Sequence, residues 1–241
     1  MTFQRPKHAL IAKALQSMDS AFLDRSKCFL GGGTAIVLEN GEYRLSLDVD
    51  FLCADVDGYR ELRNAIDREG HQAIFGPKVE ILREFIGDQY GIRGFVTVDE
   101  QPIKFEILRE ARIPLEGALS ERLGVPLLSV DCQFAEKLLA NADRRLDKSV
   151  AYRDAIDLGY LVQGSGNLPE AAISAAEKAY GDLIPKAVMQ ALERLAKPAE
   201  AEYAAATLQM ELRDVMKSAA ALRDAAATAW PHWTFAPIAV P

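Results

Sequence analysis

Long apolar runs are missing from this 241-residue chain. None approaches the roughly 20 residues that a membrane-spanning helix needs. The opening stretch, MTFQRPKHALIAKAL, has too short an apolar segment and no small-residue cleavage site for a secretory signal. Cysteine is scarce: Cys28, Cys53 and Cys132 form no CxxC and leave one over in any pairing. That excludes a disulfide scaffold and fits a reduced, cytoplasmic setting without a membrane. Histidine is equally sparse, and His8, His71 and His232 have no ligand spacing, so surface or core roles are expected of them. A basic excess is absent too, with 28 Lys and Arg against 35 Asp and Glu, a net charge of −7 and neither half of the chain basic. A protein that grips long nucleic acid through a broad basic surface is thereby excluded.

Several nucleotide and metal motifs are also lacking. A dinucleotide GxGxxG starting at Gly31 would need glycine where Ile36 stands, and no Gly-Lys-Ser/Thr of a Walker loop occurs. An EF-hand starting at Asp48 fails at Leu52 and Cys53. What remains is an ordinary globular composition, 49% hydrophobic and 26% charged. The length allows one large domain or two small ones.

The apolar periodicity predicts a helix over Lys7–Phe22, a short strand at Cys28–Leu30, a helical turn or two at Ala35–Leu38 and a strand over Leu45–Cys53. A helix over Tyr59–Glu69 and β-rich runs at Lys78–Ile86, Ile92–Val98 and Ile103–Leu108 follow, the last three reading as a meander in the same sheet. From Cys132 onward the pattern turns helical, over about 132–145, 151–163, 168–180, 184–196 and 203–228. Trp230 and Trp233 in the proline-bearing tail read as a packing anchor. The expected organisation is an α/β domain over 1–130, with a mixed sheet flanked by helices, and a helical domain over 131–241.

The sharpest chemistry lies in Leu30-Gly31-Gly32-Gly33-Thr34 followed by Arg44-Leu45-Ser46-Leu47-Asp48-Val49-Asp50-Phe51. On a strand, Asp48 and Asp50 would share one face, about 6.6 Å apart along the chain. Two like charges side by side call for a cation between them, and oxygen-only ligands favour Mg²⁺ or Mn²⁺. Glycines at a strand-to-helix turn offer backbone N–H groups to phosphates. Glu106 shares one face with Lys104 on another alternating strand; if that strand neighbours the first, three carboxylates converge as in a two-metal phosphoryl-transfer site. Lys137, Asn141 and Arg144 fall at i, i+4 and i+7, one helical face.

These strings resemble the DNA-polymerase-β-like nucleotidyltransferase superfamily, and more closely the AbiEii/AbiGii-type nucleotidyltransferase toxins of abortive-infection and toxin–antitoxin systems. Phe134-Ala135-Glu136-Lys137-Leu138-Leu139-Ala140 and Arg153-Asp154-Ala155-Ile156-Asp157-Leu158 are similar to that family's later motifs. The resemblance implies a nucleotidyltransferase-type fold and transfer of a nucleoside monophosphate from an NTP to an acceptor. The acceptor it implies is RNA, commonly the tRNA 3′ end, with a separately encoded antitoxin as partner. It makes Asp48, Asp50 and Glu106 metal-binding and, with Lys137, catalytic. Gly32, Gly33, Thr34, Ser46, Lys137, Arg144, Asp154 and Asp157 become the nucleotide site. Glu106 stands where the superfamily often has Asp, which leaves ligand and general base open. For Asp157, an ordinary pair with Arg153 or a role in positioning Lys137 or a base stays open. Nucleotidylation of a small molecule or protein, or a relative that binds nucleotide without transfer, are the competing functional readings. Arg109 and Arg112 are candidates to reach an acceptor.

Overall fold

In the computed structural model, which describes residues 3–77 and 79–241, the chain forms two compact units. The first runs to Glu42 and includes Ser46–Ser129; the second comprises Tyr43–Leu45 and Val130–Pro241.

The first unit begins with α1 (Pro6–Gln16) and α2 (Ser20–Arg25). One continuous helix to Phe22 was expected, but Asp19 caps a new helix by accepting the Phe22 N–H at 2.9 Å. β1 (Cys28–Gly31) leads into α3 (Gly32–Glu39), and β2 (Val49–Cys53) into α4 (Val56–Glu69). The meander is present as β3 (Glu80–Gly87), β4 (Gly91–Val98) and β5 (Gln101–Arg109). Lys78, where its first run was expected to start, lies outside the described residues. Two short strands, β6 (Gly117–Leu119) and β7 (Pro126–Leu128), complete a seven-stranded sheet in the order β3-β4-β5-β2-β1-β7-β6. The pairs β2–β5 and β1–β7 are parallel and the others antiparallel. The mixed α/β class read from the sequence is therefore correct.

The expected strand over 45–53 is shorter by four residues. The Ser46 N–H donates to His8 Nε2 at 3.3 Å, and the Asp48 carbonyl accepts from Thr34 Oγ1 at 2.5 Å. Side chains thus satisfy backbone groups that a longer ladder would have used. Val49 and Phe51 still point into the core, where Phe51 and Phe105 rings lie 5.5 Å apart and Phe75 meets Phe105 edge-on at 5.1 Å.

The second unit is helical: α5 (Val130–Arg144), α6 (Arg153–Ser165), α7 (Glu170–Tyr180), α8 (Leu183–Leu195), α9 (Pro198–Leu208) and α10 (Leu212–Ala229). The helix expected over 203–228 is two helices, because Gln209 adopts the left-handed conformation (φ 53°) and ends α9. Buried alanines, among them Ala201, Ala204, Ala219 and Ala226, permit close helix packing. Gly159 on α6 meets α10 so closely that a Cβ there would lie 1.9 Å from the Ser218 carbonyl oxygen. Trp230 is buried and donates its Nε1–H to Glu177 at 2.7 Å, an anchoring role for that indole. No described helix is long and apolar enough to cross a membrane.

Candidate active site

The glycine turn and the carboxylates meet in the first unit. β1 ends at Gly31, which pairs in register with Asp50 of β2; Asp50 pairs in turn with Glu106 of β5, and Glu106 with Arg93 of β4. Residues in register share a face, so the sheet carries a row from glycine turn to two carboxylates to a guanidinium. Gly32 opens α3 with φ +67°, and a Cβ there would lie 2.7 Å from Asp50 Oδ2. The backbone turn therefore sits directly on the carboxylate, which only glycine permits. Gly33 follows it in the first turn of α3.

Asp48 is placed differently from the sequence reading. It lies just ahead of β2, so the alternation of a strand does not fix its direction. What fixes it is Thr34, buried on α3, whose hydroxyl is 2.5 Å from the Asp48 carbonyl and 2.9 Å from the Ser46 hydroxyl. A carbonyl only accepts, so the Thr34 proton serves Asp48 and the Ser46 hydroxyl supplies the second bond.

Glu106 does not stand open beside these groups. Lys104 Nζ contacts its Oε2, and Arg93 Nε donates to its Oε1 at 3.1 Å. Burial works against the Lys104 charge, but Glu106, Asp48 and Asp50 outweigh it and raise the Lys104 pKa. All three carboxylates thus act on one position that favours positive charge. Among the described residues, no three His, Cys, Asp or Glu side chains are grouped closely enough to hold a metal ion. Asp48 and Asp50 fit a hard divalent cation by donor chemistry and by the field felt at Lys104; Glu106 is engaged by cations of the chain itself.

The remaining expected site residues gather in the second unit as a buried ionic network. Lys137 of α5, 4% exposed, lies 3.0 Å from Asp154 Oδ1 and 2.6 Å from Asp157 Oδ2, both on α6. Arg144 binds Asp154 in a fork at 2.8 and 3.0 Å. Arg44 binds Asp157 the same way at 2.6 and 2.8 Å, and the Tyr43 hydroxyl donates to Asp157 at 2.7 Å. Tyr43 also stacks on Tyr160, with centroids 3.7 Å apart. Burial raises the two carboxyls, but Arg44 and Lys137 hold Asp157, and Lys137 and Arg144 hold Asp154, below the usual carboxylate range. Lys137 therefore has two carboxylate partners, Asp154 and Asp157, where the resemblance implied phosphates. Asn141 is buried on the same helix.

Sequence reasoning missed Arg44, Tyr43 and Arg93 as partners. Arg44 was visible only as part of the motif string, since nothing local says that an arginine before a strand will bury its charge. Arg112 pairs with Glu110 at 2.6 Å and Arg109 is exposed at the end of β5.

A family model described as the nucleotidyl transferase AbiEii toxin of type IV toxin–antitoxin systems matches residues 13–232. No curated protein sequence matches the chain. Among solved structures, the chain is similar to JHP933 from Helicobacter pylori, with 15% identity, a TM-score of 0.55 and 96% of each chain covered. It is also similar to an antigenic nucleotidyltransferase-like protein from Paracoccidioides brasiliensis, with 14% identity, a TM-score of 0.42, and 70% of this chain and 84% of that one covered. The likeness to JHP933 extends over nearly the whole fold, and the family match covers both the glycine–carboxylate row and the buried network. The chain belongs to the nucleotidyl transferase AbiEii toxin family.

Proposed function

We propose that this protein transfers a nucleoside monophosphate from an NTP to the 3′ end of an RNA, with tRNA as the first acceptor class to test. The observation that carries the reading is the register of Gly31, Asp50 and Glu106 beside the Gly32 turn. In this reading Asp48 and Asp50 hold Mg²⁺ or Mn²⁺, with Glu106 as the neighbouring third carboxylate, while Gly32, Gly33, Thr34 and Ser46 seat the triphosphate. A divalent cation bound there supplies charge neutralisation for the phosphates and lowers the pKa of an attacking hydroxyl. The acceptor oxygen forms a new bond to the α-phosphorus, the α–β phosphoanhydride bond breaks, pyrophosphate leaves and the hydroxyl proton passes to a base. On the family resemblance, Lys137, Arg144, Asp154 and Asp157 are further candidate nucleotide-binding residues; they are held in their own network, of which Arg144 is the most exposed member. In this reading the reaction takes place in the cytoplasm, and the toxin–antitoxin family match supports a separately encoded antitoxin as the partner.

Incubation with each α-labelled NTP, Mg²⁺ and total tRNA tests this. Label in RNA that is lost with Asp48→Ala or Asp50→Ala supports it. Label confined to protein or small molecules moves the acceptor to those classes. NTP binding without transfer to any of them makes the protein a non-catalytic relative. Growth arrest on expression, abolished by Asp50→Ala, tests the toxin role separately.

A further inference from the structure

His8 is fully buried on α1, yet it has no place in the chemistry above. Its Nδ1 stands 2.8 Å from Glu42 Oε1 and its Nε2 faces the Ser46 N–H at 3.3 Å. A ring nitrogen that accepts an N–H carries no proton, so the proton is on Nδ1 and is donated to Glu42. Burial lowers the His8 pKa, Arg5 adds to this, and the opposing pull of Glu42 does not overcome it. The ring is therefore neutral at pH 7, in one tautomer set by its two partners. Glu42 is itself fixed, because its carboxylate accepts from the backbone N–H groups of Gln4 and Arg5, and Arg5 Nε donates to its carbonyl at 3.3 Å.

Glu42 and Ser46 are the two residues that flank Tyr43–Leu45, the three residues that belong to the other unit. We propose that His8 is a positioning residue: it ties the two ends of this excursion together and thereby fixes Ser46, and through Thr34 the start of the Asp48–Asp50 segment. An apolar side chain would fill the same space but bind neither end. This inference rests on the reading of Ser46, Thr34 and Asp48 as the nucleotide and cation site. Atoms connect continuously along it: Glu42 carboxylate, His8 imidazole, Ser46 amide, Ser46 hydroxyl, Thr34 hydroxyl, Asp48 carbonyl.

The test uses the full chain with His8→Leu and His8→Gln. Hydrogen-exchange protection of the Ser46 amide is measured on the protein alone, and kcat and KM for NTP in the labelling assay, both from pH 5 to 8. In the wild type, protonation of Nε2 sets a second donor against the Ser46 N–H, so protection and kcat fall together on the acid side, below the ordinary histidine pKa of about 6.5. His8→Leu loses about tenfold in Ser46 protection and in kcat at neutral pH, the scale of one lost hydrogen bond, with a smaller change in KM. His8→Gln, whose amide oxygen can accept the Ser46 N–H, recovers part of both and flattens the acid limb. Unchanged Ser46 protection in His8→Leu overturns the proposal, as does equal loss in both variants with no acid limb in the wild type. If His8→Leu does not fold, the wild-type acid limb and its flattening in His8→Gln decide. A wild type that transfers no nucleotide but shows the Ser46 exchange behaviour overturns the transferase reading and leaves the His8 tie standing.

Discussion

Arg44 and Asp157 meet in a two-bond fork, with Nε 2.6 Å from Oδ1 and Nη2 2.8 Å from Oδ2, and with side chains 2% and 0% exposed. Lys137 and the Tyr43 hydroxyl reach the same carboxylate. Removing one member of such a set leaves buried charge without a partner, which costs far more than the intact pair contributes. Asp157→Ala is expected to destabilise the fold by about 3–5 kcal/mol, read as a lower urea midpoint.

The same carboxylates set the acid response. Asp154 and Asp157 have folded pKa values below their ordinary one, so the unfolded chain takes up their protons first as pH falls. Their contribution is complete above the unfolded value of about 3.9 and is lost progressively below it. Urea midpoints measured from pH 7 to pH 3 should fall toward the acid end, and Asp157→Asn should give a lower but flatter profile.

Gly32→Ala places a Cβ 2.7 Å from Asp50 Oδ2 in a left-handed backbone conformation. The conformational strain alone is about 1–2 kcal/mol. The expected outcome is a folded protein by circular dichroism, modestly less stable, that no longer incorporates labelled nucleotide because Asp50 or the turn must move.

Gly159→Ala acts by a different route. The added Cβ meets backbone, the Ser218 carbonyl at 1.9 Å, so α6 and α10 must separate. Overpacking of this kind costs about 1–3 kcal/mol; a calorimetric melting temperature below that of the wild type checks it.

Lys104→Met removes the ammonium that Glu106, Asp48 and Asp50 act upon. The carboxylates then lose one internal counter-charge while Arg93 stays on Glu106, and added cations gain what Lys104 had. Calorimetric titration with Mn²⁺, without nucleotide, is expected to show affinity about tenfold higher, as a 1.4 kcal/mol change in interaction would give. Unchanged affinity would show that Lys104 does not compete for the site.

Much of this was legible because it rests on local pattern. Alternation in Ile92–Val98 and Ile103–Leu108 marks β4 and β5, and the apolar periodicity of α5 to α8 locates those helices within a few residues. Strand alternation marked Asp50 and the glycine turn marked a seat for phosphates, whereas the closeness of the two emerges only from the β1–β2 register. What could not be read depends on partners distant in sequence. The Arg44–Asp157 fork joins residues 113 apart, and His8 finds Glu42 over 34. The break at Gln209 carries no glycine or proline to announce it, and strand β2 starts late because side chains, not a neighbouring strand, take up Ser46 and Asp48.

The excursion of Tyr43–Leu45 also bears on modularity. Because these three residues count with the helical unit, that unit is not one continuous length of chain, and no single cut can excise it whole. A fragment beginning at Val130 would carry Asp157 but leave behind Arg44, which binds that carboxylate in the buried fork. Truncation of this chain at that junction should therefore leave Asp157 without its fork, and an excised helical unit needs the short inner segment supplied with the C-terminal helices.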